Sequence, residues 1–202
     1  MSDFVVKPLC EETWPAYADL IERHNGIWGG CWCMGFHEGV HVESGERPCN
    51  RDQKFQRVCD GTAHAAVVFD GPLAVGWCQY GPGNELRPEK KFKRKYLPGV
   101  EREPDWRITC FFVDKKYRGN GVSALALDGA LAAIAEAGGG LVEAYPENLD
   151  GRNVPGVFIY LGTIPMFERR GFEKLRQVAM HHWVMVKEIS SPVSSSNREE
   201  RK

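Results

Sequence analysis

Hydrophobic and polar positions divide the chain into short blocks of distinct period. Phe4 to Leu9 reads as a strand. From Glu12 to His24, Trp14, Tyr17, Leu20 and Ile21 recur at the spacing of one helix face. Glycines between Gly26 and Gly39 interrupt any regular pattern, and Asp52 to Cys59 predicts a second helix. Ala63 to Phe69 and Leu73 to Tyr80 read as strands around the turn Asp70-Gly71-Pro72. Asn84 to Gly99 is a polar insertion carrying the basic run KKFKRK, and Trp106 to Val113 is a strongly apolar strand. A helix follows from Val122 to Ala137, rich in small residues that suit close packing on a sheet, and Gly138 to Gly140 stop it. Leu141 to Tyr145 predicts a buried strand, Gly162 to Arg170 a short helix, and Ala179 to Val186 a last strand. One strand–helix–strand unit within this mixed order predicts an α/β fold, a mixed sheet with helices on its faces. Residues 1–189 are expected to form a single domain, and the serine-rich, charged stretch 190–202 a disordered tail.

Composition narrows the function. The 202 residues suffice for one domain with a real core. A net charge of -1 argues against nucleic acid as partner, and no apolar run approaches a membrane span. The start, MSDFVVKPLCEE, is too short and acidic for a secretory signal. Seven cysteines, an odd number, read as reduced thiols, so a cytoplasmic location is expected. Self-association into a homodimer is left open.

The stretch Asp114 to Ala124, DKKYRGNGVSA, joins the apolar strand to the small-residue helix. Backbone N–H groups at such a glycine-bearing turn, with a helix N-terminus behind them, form an anion site that suits a diphosphate. Arg118, Lys115 and Lys116 add positive charge. A solvated basic loop is the plainest alternative. A dinucleotide fold is another, because Gly119-x-Gly121-x-x-Ala124 fits G-x-G-x-x-G/A with Glu143 at ribose distance. That fingerprint puts its first glycine at the strand's end, whereas Asp114 to Arg118 intervene here.

The segment Cys110 to Ala137 also resembles the acetyl-coenzyme A motif of the GNAT acetyltransferase superfamily, Q/R-x-x-G-x-G/A, with Lys116 in the first slot and Gly119 and Gly121 in the glycine slots. Met166 to Phe172, MFERRGF, is similar to that family's late YEKxGF segment. The order of elements matches over nearly the whole chain. The resemblance implies a mixed sheet splayed at its centre, with the cofactor's pantetheine arm in the gap. It implies that the backbone of Phe112 and Val113 pairs with the pantetheine. Arg118, Gly119, Asn120, Gly121, Val122 and Ser123 would hold the pyrophosphate, with Phe167 beside the cofactor. Acetyl-coenzyme A is then the co-substrate and no metal is expected. The acceptor is an amine, of a small molecule or of a protein, attacking directly in a ternary complex.

Acetyl transfer needs a neutral amine, a polarised thioester carbonyl and an outlet for the leaving thiolate. In the resembled family a Tyr often protonates that thiolate, at the position matched by Phe167, and phenylalanine cannot. Another group serves, or the chain binds an acyl-coenzyme A without catalysis. Glu143, at the end of a buried strand, is a candidate base or a structural ion-pair partner. Tyr145 is a candidate donor or a packing residue, and Tyr160 a candidate donor or a residue that lines the cofactor. In WGGCWCM, Trp28, Trp32 and Met34 form either an aromatic wall for the acceptor or a self-anchored loop. Cys31, Cys33, His37 and His41 could ligate zinc, but Cys-x-Cys is not the usual knuckle spacing. A nucleophilic Cys31 or Cys33 would require an electropositive setting. His64, His181 and His182 read as strand residues.

Overall fold

The structure, a computed structural model, describes residues 3–37, 50–88, 96 and 100–192. Its strands are β1 (Phe4–Pro8), β2 (His64–Asp70), β3 (Leu73–Pro82), β4 (Trp106–Val113), β5 (Gly139–Ala144), β6 (Glu173–Gln177) and β7 (Trp183–Ser190). They form one sheet in the order β1-β2-β3-β4-β5-β7-β6. Its helices are α1 (Trp14–Glu22), α2 (Ile27–Gly30), α3 (Asn50–Cys59), α4 (Val122–Glu136) and α5 (Ile164–Glu168).

The sheet divides the core in two. On one face, Trp14, Tyr17 and Leu20 of α1 and Val58 of α3 pack on Val67, Trp77 and Cys110. On the other, Ala126, Ala130 and Ile134 of α4 and Phe167 of α5 pack on Val68, Cys78 and Ile108. The alanines of α4 bring its axis close to the strands, as the run of small residues predicted.

Where the sheet changes direction it opens. The pair β4–β5 is parallel and joined by the α4 crossover, while its neighbours β3–β4 and β5–β7 are antiparallel. β4 and β5 are in register only at Trp106↔Val142, Arg107↔Glu143 and Ile108↔Ala144. Beyond Ile108, β4 stays on β3 to Val113, and Thr109 is an extra residue between Ile108 (opposite Tyr80) and Cys110 (opposite Gln79). Such a bulge bends the strand and raises its twist. The Phe111 N–H donates to the carbonyl of Tyr160, at 2.7 Å, so a loop residue rather than β5 meets β4 there. Strand alternation then turns the N–H and C=O of Val113 toward the same gap, and those of Phe112 toward β3.

The predicted elements recur with two differences. The last predicted strand, Ala179 to Val186, begins and ends later, as β7 (Trp183–Ser190), and β6, EKLRQ, was not predicted because it is an exposed, charged edge with little apolar signal. The glycine segment holds the four-residue α2 and a 3-10 turn at Met34–Phe36. Residues 90–95, the basic run, and residues 193–202, within the predicted tail, lie outside the described residues.

Gly76 on β3 lets α4 seat. A Cβ added there would meet Val122 Cγ1 at 2.7 Å and the Phe112 carbonyl oxygen at 2.8 Å. Gly76→Ala is expected to destabilise the chain by about 1–3 kcal/mol through overpacking, read as a lower denaturant midpoint.

Candidate active site

At the mouth of the gap the chain makes a tight connection into α4. Asp114 accepts a hydrogen bond from the Lys116 N–H at 3.0 Å and an ion pair from Arg23 at 3.3 Å. The Tyr117 hydroxyl donates to Asp70 at 3.0 Å. These contacts fix the turn against α1 and β2. Gly119 and Gly121 then adopt left-handed backbone, at φ 81° and 79°. An added Cβ at either would meet nothing within 4 Å, so the glycines serve conformation rather than close packing. Gly121 caps α4, with its carbonyl accepting from the Leu125 N–H. The N–H groups of Val122, Ser123 and Ala124 are left without intrahelical acceptors, at the positive end of a 15-residue helix.

A cavity of about 1200 Å³ runs from this turn into the gap. Arg118, Gly119, Gly121, Val122 and Ser123 line its mouth, and Phe111 to Val113 line its wall on β4. The loop bearing Gly156 and Tyr160 forms the opposite bank. At the inner end lie Ile21, Ile27, Trp32, Phe36 and Trp77. Trp77 stacks on Phe112 at 4.9 Å, and Trp32 on Trp14 at 5.6 Å.

No family model and no curated protein sequence matches the chain. Solved structures do. A mosquito arylalkylamine N-acetyltransferase like 5b matches 93% of this chain and 100% of its own, at 12% identity and TM-score 0.53. A histone acetyltransferase HPA2 and related acetyltransferase from Corynebacterium glutamicum matches 95% and 99%, at 15% identity and TM-score 0.52. A GNAT-family acetyltransferase from Streptococcus pneumoniae matches 93% and 100%, at 9% identity and TM-score 0.52. The chain has the GNAT acetyltransferase fold.

On this GNAT fold the residues singled out by sequence divide into two sets. Val113, Arg118, Gly119, Gly121, Val122, Ser123, Tyr160 and Trp32 line the cavity. Asn120 is exposed on the same turn. Phe112 contributes its ring, while its backbone faces β3. Met34 and Phe167 are buried core instead, Phe167 packing edge-on against Phe111 and Phe172. Trp28 belongs to α2, and its side chain lies outside what is described.

Glu143 and Tyr145 do not line the cavity. Glu143 is buried and accepts from the Tyr145 hydroxyl, from Tyr96 at 2.9 Å and from Arg107 Nε at 3.4 Å. Arg107 reaches further, to the carbonyls of Gly83 and Leu86 and to Glu103. The expected base is therefore a structural anion at the point where β4 and β5 still pair. Burial, then the Glu143 charge, raises the Tyr145 pKa well above the ordinary tyrosine value, so its hydroxyl stays a hydrogen-bond donor.

Other groups come to the cavity unannounced by sequence. Glu147, just past β5, is buried, lines the wall and pairs with Arg152 at 2.7 Å. His182 also lines it, from the turn between β6 and β7 rather than from a strand. Its Nδ1 meets the Tyr145 carbonyl at 3.2 Å. Lys54 of α3 is fully buried behind the inner end, 3.0 Å from His37 Nε2 and 3.1 Å from Gln79 Oε1. Burial pushes its pKa down to about 8, against the pull of the nearby thiols of Cys33 and Cys110. Burial, then Lys54, pushes His37 down to about 2, so the imidazole is neutral and can accept from the ammonium. Among the described residues no group of three or more His, Cys, Asp or Glu side chains is placed to hold a metal ion, and His41 lies outside them.

Glu143→Gln is expected to lower stability by about 1–3 kcal/mol, because Arg107 loses its buried counter-charge. Coenzyme affinity should be unchanged. A large loss of affinity with stability intact would place Glu143 in the binding site after all.

Proposed function

We propose that the chain transfers an acetyl group from acetyl-coenzyme A to an amine of a small molecule. One observation carries this reading. The gap between β4 and β5 opens onto a glycine-bearing turn at the N-terminus of α4, so an anion site and an extended slot belong to one cavity. A diphosphate suits the N–H groups of residues 121–124 and the Arg118 charge. A pantetheine arm suits the slot, where the Val113 backbone offers a donor and an acceptor in the manner of an added strand. Tyr160 and the Phe112 ring would flank it. An adenine dinucleotide shares the diphosphate and lacks the amide-bearing arm.

The acceptor would lie at the inner end, among Trp32, Trp77, Ile21 and Ile27. That wall favours an amine on an apolar or ring-bearing body, in accord with the arylalkylamine in the name of the mosquito protein. Glu147 is the carboxylate on the cavity wall and the one we assign to accept the amine's proton. The shortest route the cavity offers is direct attack with donor and acceptor bound together. The buried Phe167 supports a second reading, coenzyme binding without catalysis, since the matched Tyr hydroxyl has no counterpart there.

Calorimetry should show one-to-one binding of acetyl-coenzyme A and none of NAD. Gly121→Glu, which sets bulk, backbone strain and negative charge at the helix terminus, should abolish it. Release of free coenzyme A with aromatic amines should follow, and Glu147→Gln should cut that turnover about 10²-fold with affinity retained. Binding without release for any amine would favour the second reading, and no binding would overturn both.

A further inference from the structure

Past the parting of β4 and β5 the chain keeps the line of β5 for a few residues and carries one carboxylate to the cavity. Glu147 is bridged on one side to Thr163 and on the other to His182. Its N–H donates to the Gly162 carbonyl at 3.0 Å, and its carbonyl accepts from the Ile164 N–H at 3.2 Å. Tyr145, two residues before it, packs in the same core as Trp32 and Trp77. Strand alternation turns Glu147 toward that side of the sheet, where the apolar wall stands. The chain then folds back. Asn148 Oδ1 accepts from the Asp150 N–H at 3.0 Å, and the Leu149 carbonyl from the Arg152 N–H at 2.9 Å. This turn returns Arg152 Nη1 to Glu147 Oε1 at 2.7 Å and to the Asn148 carbonyl at 2.9 Å.

This ion pair is only half engaged. Among the described residues, neither Glu147 Oε2 nor Arg152 Nε and Nη2 has a hydrogen-bond partner. Both side chains line the cavity, that of Glu147 7% exposed and that of Arg152 32%. Glu147 is also the one acidic side chain among the described residues of the lining, whose basic ones are Arg118, Arg152 and Arg169. An acceptor ammonium set on Glu147 alone would join a carboxylate whose charge is already matched. Two cations would then share one anion away from bulk water, which disfavours binding. A ligand that brings its own carboxylate to Arg152 restores the balance, with two charges of each sign. The unused edge of the guanidinium, Nε with Nη2, is the fork that grips a carboxylate through two parallel hydrogen bonds. Because the charged atoms of the pair are 2.7 Å apart, the ligand's ammonium and carboxylate must be close neighbours as well. An α-amino acid carries both on one carbon.

We propose that the acceptor is an α-amino acid with an apolar or aromatic side chain. Its ammonium meets Glu147, its carboxylate meets Arg152, and its side chain meets the wall of Trp32, Trp77, Ile21 and Ile27. The proposal rests on the acetyltransferase reading and narrows the amine. The chemical step is the direct attack given above. Glu147 takes one proton from the ammonium, and the neutral nitrogen bonds the acyl carbon. The carbon–sulfur bond to coenzyme A breaks, the nitrogen gives a second proton to water, and the coenzyme A thiolate takes one from water. The product, an N-acetyl amino acid, keeps its carboxylate and has lost its cation. One of its two charged anchors is gone, and release follows.

The test compares leucine, phenylalanine and tryptophan with their decarboxylated amines as acceptors, read as release of free coenzyme A by the full chain. The preferred amino acid should exceed its amine in kcat/KM by about 10–100-fold, the cost of one lost charged hydrogen-bonding partner. Its amide, which lacks the carboxylate, should behave as the amine does. Arg152→Gln should erase the preference through a higher KM for the amino acid, with acetyl-coenzyme A affinity unchanged in calorimetry. Arg152→Lys, which keeps the charge and loses the fork, should restore part of it. Amines turned over as well as their amino acids, or no amino acid turned over by a chain that binds acetyl-coenzyme A, would overturn the proposal and leave the transferase reading standing. A preference that survives Arg152→Gln would overturn it too, and weakened coenzyme binding in that variant would assign the arginine to the coenzyme. Failure to bind acetyl-coenzyme A would overturn both readings.

Discussion

Backbone pairing between β4 and β5 ends at Ile108, and everything proposed for this chain depends on that parting. Parallel neighbours joined by a crossover helix ordinarily stay paired along their length. Here the extra residue at Thr109 bends β4 after three paired positions, and β5 leaves through Tyr145 and Pro146. The closed end is held by side chains as well as backbone. Arg107 and Glu143 are register partners across the two strands and also an ion pair, 3.4 Å apart and buried. Tyr96 and Tyr145 complete its hydrogen bonding. A charged network that is well satisfied specifies one arrangement of the strands it joins. The vertex is therefore fixed and the space beyond it is open.

That geometry sorts chemistry by position. At the mouth, main-chain donors and a helix terminus offer a site for an anion that any side chain of the turn could only modify. Within the slot, strand backbone offers partners to an extended arm. At the inner end, the rings of Trp32 and Trp77 with Ile21 and Ile27 form an apolar wall.

Much of the fold was readable from the chain. The apolar period placed β4 within its observed bounds, and Val122 with Gly138 marked both ends of α4. The glycines announced an anion-binding turn before a helix; that they serve left-handed backbone rather than close approach is visible only in the structure. What could not be read were the consequences of long-range pairing. Glu143 stands out as the only charge in an apolar strand, yet nothing local says that its partner is Arg107, 36 positions away. Lys54, in the polar run RDQKFQRVC, carries no sign of burial beyond its i, i+4 relation to Val58. Glu147 and His182 reach the cavity from loops, whose paths the sheet sets rather than their own sequence.

The central claim is that the parted strands and the α4 terminus receive one extended, diphosphate-bearing ligand. Amide hydrogen–deuterium exchange with and without acetyl-coenzyme A tests it most directly. The account predicts slowed exchange at Val113 and at the amides of residues 119–125 together, with the amides around Arg107 and Glu143 unaffected. Protection confined elsewhere, or none at saturating ligand, would contradict it.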